Sequence, residues 1–273
     1  MSLATRFGAV TKMEQGTPLT NDQMFSIAPS IFAGAKHDSR TERYTYIPTI
    51  QVVEGLRKEG FMPFSVCQSK SRIEGKAEFT KHMIRLRRQD QMLDSEANEI
   101  ILINSHDGTS SYQMLAGMFR FVCQNGMVTG DTVEDIRVAH RGNIVDNVID
   151  AAYTIVDQFD IANESMGTMK EITLSKPEQE VFARASLALK YGEEDKQPIT
   201  PRQLLLPKRY DDGKDDLWTK FNVVQENLMR GGQHGRSDSG KRVTTRPVQS
   251  IDNSVKLNKA LWILADEMAK LKA

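Results

Sequence analysis

His82-Met83-Ile84-Arg85-Leu86-Arg87-Arg88 alternates apolar and charged side chains with a period of two, the mark of a strand that buries one face. Two further runs flank it. Phe61-Met62-Pro63-Phe64-Ser65-Val66-Cys67-Gln68 lies upstream, across the polar, glycine-containing stretch 69–77. Residues 99–106, with Ile100-Ile101-Leu102-Ile103 at their centre, lie downstream across the acidic stretch 89–98. Three such runs joined by short polar connections predict a three-stranded antiparallel meander. Alternation then sorts the middle strand. Ile84 and Leu86 point with His82 and Arg88 toward helices, while Lys81, Arg85 and Arg87 share the opposite face with Met83, presenting cations about 7 Å apart to solvent.

Helices are expected on either side of the sheet. Residues 1–45 read as a polar N-terminal extension with one short helix near 21–27. Thr49 caps a helix carrying Ile50, Val53 and Leu56, and Gly60 ends it. After Asp107-Gly108, Ser110 or Ser111 caps a second helix with Tyr112, Leu115, Phe119 and Val122 as its stripe and Asn125-Gly126 as its stop. From 131 onward only helices are expected: one from Asn143 to about Phe159, one opened by the capping box Ser175-Lys176-Pro177-Glu178 and running to about Tyr191, a short turn at Thr200-Pro201, one around Trp218, and one over about 254–271. The predicted class is α+β. A helix-flanked α-β-β-β-α core over 46–130 precedes an all-helical region over 131–273, with a flexible loop at 230–246 whose composition, Arg-Gly-Gly-Gln-His-Gly-Arg-Ser-Asp-Ser-Gly-Lys-Arg in 230–242, argues against a packed core.

At 273 residues with 39% hydrophobic and 26% charged side chains, the chain can bury a sizeable core and falls among globular proteins. No window reaches the roughly 18 consecutive apolar residues of a membrane span, and the first residues lack a secretory apolar core, so a cytoplasmic chain without membrane contact is expected. Cys67 and Cys123 have no Cys-x-x-Cys partner and read as reduced thiols. His37, His82, His106 and His140 lack metal-ligand spacing, and no P-loop, Gly-x-Ser-x-Gly or His-Glu-x-x-His occurs. Neither a metal nor a cofactor is therefore expected. The formal net charge of zero hides segregation: 36–88 carries twelve Lys/Arg against six Asp/Glu, 89–107 five acids and no base, 131–195 fourteen acids against six bases, and 196–273 fifteen bases against nine acids. Such asymmetry concerns partners more than fold. Solvation of separate acidic and basic faces explains it equally well.

One segment combines a helical stripe with polar residues that packing does not require. In Leu217-Trp218-Thr219-Lys220-Phe221-Asn222-Val223-Val224-Gln225-Glu226-Asn227-Leu228-Met229-Arg230-Gly231-Gly232, the stripe is Leu217, Phe221, Val224 and Leu228, with Asn222, Gln225, Glu226 and Asn227 off it. The segment resembles a signature of the phage/plasmid-like proteins of unknown function found on prophages, plasmids and genomic islands. Three more blocks resemble the same family in the same order: Arg43-Tyr44-Thr45-Tyr46-Ile47-Pro48-Thr49 with the following 52–61, Phe119-Arg120-Phe121-Val122-Cys123-Gln124-Asn125-Gly126-Met127, and Val248-Gln249-Ser250-Ile251-Asp252 with Asn258-Lys259-Ala260-Leu261-Trp262. None of them is a catalytic motif. The predicted helix, three strands, helix order and the Gly60-Phe61 step also resemble, in topology, the core of phage single-strand annealing proteins, which hold single-stranded DNA on a basic β-hairpin face. The absence of an overall basic charge and the long acidic half depart from that pattern.

The leading expectation is a non-enzymatic, recombination-related protein of a mobile element. It binds single-stranded DNA through Lys81, Arg85 and Arg87 with the neighbouring Arg43, Lys70 and Arg72, and forms a homo-oligomer. An edge strand charged against aggregation accounts for the same cations without function. A rival from another class is an interaction protein of phage defence or counter-defence whose acidic residues 131–195 dock on a protein partner or mimic DNA. A third reading is an enzyme using Asn222, Gln225, Glu226 and Arg230. Against it stands a buried hydrogen-bonded network made by those same residues.

Overall fold

The computed structural model describes residues 10–14, 16–38, 46–93, 95–110, 112–121, 125–129, 144–192 and 197–272. Its elements, in order, are β1 (Val10–Glu14), α1 (Asn21–Ile27), α2 (Thr49–Lys58), β2 (Met62–Ser69), β3 (His82–Arg87), β4 (Glu96–Asn104), β5 (Gln113–Arg120), β6 (Asn125–Val128), α3 (Ile144–Glu171), α4 (Lys176–Tyr191), α5 (Pro201–Leu204), α6 (Leu217–Arg230), β7 (His234–Arg236), β8 (Arg242–Thr244) and α7 (Ile251–Lys272). They gather into two compact units. The first holds everything to Val128 and the part of α3 up to Phe159; the second holds 160–248 and the chain from Asp252 onward.

The first unit is built on an antiparallel sheet of six strands in sequential order, β1 to β6, not the three expected. β2 and β3 match the predicted runs to within a residue, whereas β4 begins at Glu96, three residues before the predicted 99–106. The added strands are β1 and the β5–β6 pair. β5 replaces the helix expected from Ser110 to Val122, pairing along β4 from Glu96↔Arg120 to Ile103↔Gln113. Seven of its eight residues are buried, so both faces are apolar and the alternation that marks a half-exposed strand is missing. The helix, three strands, helix order therefore fails, and the topological likeness to annealing proteins fails with it.

The sheet curls. β3 and β6 stand three places apart, a separation of about 14 Å if the sheet were flat, which is more than an arginine side chain spans. Yet Arg85 Nη1 donates to Met127 O at 3.2 Å. A Cβ on Gly126 would stand 2.5 Å from Arg85 Cζ, and one on Gly117 2.6 Å from Ile101 Cδ1. Glycine at these two strand positions is what lets the concave side close over Arg85 and Ile101.

Cross-strand partners share a face, so the register Ile84↔Val66 and Ile84↔Leu102 puts those three with His82, Leu86 and Ile100 on one side. α2 and the 3-10 turn Pro29–Phe32 meet that side: His82 Nδ1 lies 2.8 Å from Ser30 Oγ, and its Nε2 lies 3.0 Å from Thr49 Oγ1. Ile101 and Ile103 lie on the concave side with Met83 and Arg85. The run 100–103 is thus split between the two faces and does not face helices as a whole.

The second unit is centred on α6, whose residues from Leu217 to Leu228 are all buried. Asp216 caps it by accepting from Thr219 N, and Gly231 at φ +63° ends it where a Cβ would strike Thr245 O at 2.6 Å. Trp218, Phe221 and Trp262 of α7 form the aromatic core, with centroids 5.6 to 6.3 Å apart. The stretch expected to be a flexible loop is instead an antiparallel hairpin, β7–β8, paired His234↔Thr244, Gly235↔Val243 and Arg236↔Arg242. Ser237 to Gly240 close it, with Gly240 N donating to Ser237 O and Gly240 at φ +74°. Among the described residues no helix is long and apolar enough to cross a membrane.

Candidate nucleic-acid interface

The cation row of β3 does not face solvent. Arg85 and Arg87 are 5% and 2% exposed. Arg85 Nη1 donates to Glu99 Oε2 at 2.7 Å and Arg87 Nε to Glu99 Oε1 at 2.8 Å, so one buried carboxylate of β4 holds both guanidiniums inside the curled sheet. Arg87 also lies over the rings of Phe119 and Phe64, with its Cζ 3.8 and 4.7 Å from their centroids. The expected open face is therefore the concave interior. Lys81 is half-buried, Lys70 and Arg72 are exposed on the connection from β2 to β3, and Arg43 lies outside the described residues, as do Cys123 and His140.

The structure also gathers groups that the sequence kept apart. His82 and His106 lie with ring centroids 5.4 Å apart and their planes tilted by 45°, joined through Thr49 Oγ1, which also accepts from Asn104 Nδ2 at 3.0 Å. Ser30 and Gln68 complete the network. Burial lowers the His82 pKa to about 3, helped by the neighbouring His106, and lowers that of His106 to about 4. Both rings are neutral and fully enclosed, which suits a hydrogen-bonded core more than a site open to substrate. Burial likewise pushes the Cys67 thiol up to about 11. Among the described residues no three His, Cys, Asp or Glu side chains converge as metal ligands.

In the second unit the polar residues of α6 hold its neighbours in place. Because the helix is buried on every side, each amide and carboxylate needs a partner. Asn222 Nδ2 donates to Trp218 O, and Gln225 Nε2 to Asn258 Oδ1 of α7 at 2.8 Å. Glu226 accepts both Nη atoms of Arg209, at 2.7 and 2.9 Å, and pairs with Arg230 at 3.0 Å. Burial raises the Glu226 pKa, but these guanidiniums outweigh it and leave the group below the usual carboxylate value. Asn227 Nδ2 donates to Leu204 O and Leu206 O, fixing the chain that follows α5. Arg209 Nη1 also donates to the buried Asp212 at 3.0 Å, so Glu226 and Asp212 share one guanidinium. The Asn222 bond stays within α6, whereas Gln225, Glu226 and Asn227 act as braces.

What they brace is the floor beneath the hairpin. Gln203 Nε2 donates to His234 O, Gln233 Nε2 returns a bond to Gln203 O, and Arg236 N donates to Pro198 O at 2.9 Å. Gly235 sits so tightly that a Cβ would lie 1.8 Å from Pro198 O. Lys190 Nζ ties the return strand to the end of α6 through Arg246 O and Leu228 O, and burial brings its pKa down to about 8. Gly235 and Val243 face inward, so His234, Arg236, Arg242 and Thr244 share the outer, exposed face. They border a cavity of about 1050 Å³ whose other walls include Gln197, Pro198, Thr200, Ser237 and Asp238. Among the described residues neither Arg236 nor Arg242 meets a carboxylate.

A model of a family described as a domain of unknown function, DUF932, matches residues 36–262. The chain belongs to the DUF932 family. Two Escherichia coli K12 relatives, the UPF0380 proteins YafZ and YfjQ, are each 48% identical to it over 266 residues, 97% of this chain and 97% of theirs. No solved structure matches it. The DUF932 match takes in the six-stranded sheet from β2 onward, all of α6 and the whole hairpin with its cavity.

Proposed function

We propose that this DUF932 protein binds single-stranded nucleic acid on the outer face of the β7–β8 hairpin, not on β3. One observation carries the reading. Arg236 and Arg242 stand directly opposite each other, exposed and without a carboxylate partner among the described residues, beside a cavity of mixed polar and apolar lining. Like charges directly opposite in a ribbon destabilise it, so an anion held by both relieves a repulsion that the fold otherwise bears. Guanidinium gives phosphate two parallel N–H donors. His234 offers a ring on which an unstacked base can lie, and the concave floor accepts a splayed base better than the closed edge of a duplex. The resemblance to phage and plasmid proteins supports handling of mobile-element DNA, including recombination, as the setting.

A second reading has its own observation. In the second unit Asp160, Glu164 and Glu171 are exposed along α3 at intervals of 4 and 7, an acidic stripe suited to a basic protein partner. Fluorescence anisotropy with one sequence as single strand and as duplex, between about 50 and 200 mM salt, separates the two. Preference for the single strand, weakening with salt, supports the hairpin reading. Preference for duplex, or no affinity for either, overturns it.

A further inference from the structure

The ligand can be narrowed, on condition that the strand-binding reading holds. We propose that the cavity beside Arg236 and Arg242 takes the terminal phosphate monoester of a nucleic-acid strand. The two arginines are cross-strand partners on one face, so their guanidiniums serve one locus and not a succession of phosphates. Further along that face stand His234 and Thr244, not a third arginine or lysine. A row of cations that tracks a backbone would continue. This one stops.

Charge gives the same answer. An internal phosphodiester carries one negative charge and leaves one guanidinium uncompensated. A monoester carries about −1.5 to −2 at pH 7 and offers three acceptor oxygens, which matches two guanidiniums with two donors each. The walls include the hydroxyl residues Thr200, Ser237 and Thr244, whose oxygens bond to Gln203, Ser239 and His234. The cavity has an end wall as well: Gly235 packs on Pro198 O with no room for a Cβ, and the Arg236 N to Pro198 O bond seals the hairpin to it. Asp238, at the turn, is the carboxylate of the lining and opposes any anion there.

The test uses one oligonucleotide sequence in three forms, with a 5′-phosphate, with a 3′-phosphate and with hydroxyls at both ends, and with inorganic phosphate and a nucleoside monophosphate as competitors. One phosphorylated end should bind about ten-fold more tightly than the hydroxyl-ended strand, about what one extra charge-assisted pair contributes, and the nucleoside monophosphate should compete. Arg236→Gln and Arg242→Gln should each abolish the end preference while keeping the circular dichroism and melting temperature of the parent. Asp238→Asn should tighten binding of the phosphorylated strand. Equal affinity for all three forms, with salt-dependent binding retained, overturns this inference and leaves strand binding standing. Competition by inorganic phosphate without any end preference overturns it as well. No affinity for any form overturns both.

Discussion

Replacing Glu99 with Gln should unfold the first unit more readily than any surface substitution could. Glu99 is fully buried and accepts from Arg85 at 2.7 Å and Arg87 at 2.8 Å. The amide keeps the volume and removes the charge. Two guanidiniums, 6% and 1% exposed in their side chains, would then face the sheet interior, with Glu14, 3.7 Å from Arg87 Nη2, as the carboxylate left to pair among the described residues. Breaking one buried pair from one side costs about 3–5 kcal/mol. Glu99 serves two arginines, so a loss near the top of that range, about 5 kcal/mol, is expected, a large part of the about 5–15 kcal/mol of a typical domain. Urea denaturation followed by far-UV circular dichroism measures it. Removing the whole cluster, as Arg85→Leu, Arg87→Met and Glu99→Leu together, should recover much of the loss, because none of its three charges is then left in the interior. A loss below about 1 kcal/mol for Glu99→Gln would refute the placement of this cluster inside the curled sheet.

Two further outcomes follow from the same coordinates. His82 and His106 have folded pKa values of about 3 and about 4 against an ordinary 6.5, so the unfolded chain takes up the protons first. Their contribution is complete above pH 6.5 and is lost as pH falls below it, by about 2 kcal/mol for each histidine at pH 5. Urea midpoints at pH 7 and pH 5 check this, and equal midpoints would contradict it. Gly235→Ala places a Cβ where Pro198 O stands. It should detach the hairpin, lower strand affinity at least as far as loss of Arg236 does, and leave the spectrum of the six-stranded sheet unchanged; unchanged affinity would show that the floor is not needed.

The parts of the fold that were legible in the sequence are those where one physical signal acts alone. β3 alternates, β4 carries a β-branched run, Ser175 with Glu178 caps α4, and α6 shows its stripe. β5 was illegible because the sheet is covered on both sides there: Tyr112, Leu115 and Phe119 happen to fall at helical spacing, while Met114, Ala116 and Met118 are buried on the face opposite Leu115 and Phe119. Alternation alone places Arg85 and Arg87 in solvent because charge in a strand is usually exposed, and it leaves Glu99 within an acidic stretch. The signal that could have corrected this is Gly117 and Gly126, since glycine inside strands marks close approach of another group. The hairpin was hidden by its own composition. His-Gly-Arg and Arg-Val-Thr around Ser-Asp-Ser-Gly form two short strands and a turn, but the density of glycine reads as a linker. The braces from α6 to α5, α7 and Arg209 join residues 17 to 33 positions apart, beyond the reach of local pattern.

Whether the β7–β8 hairpin holds phosphate is read from the slope of strand affinity against salt, comparing the parent protein with Arg236→Ala/Arg242→Ala on the same single-stranded oligonucleotide. Each neutralised phosphate contributes about 0.7 to that slope for a single strand. If both arginines hold phosphate, the double variant should bind more weakly with a slope shallower by about 0.7 to 1.4, while its thermal unfolding stays that of the parent. Identical affinity and slope for the two proteins would contradict the assignment of the β7–β8 hairpin as the nucleic-acid interface.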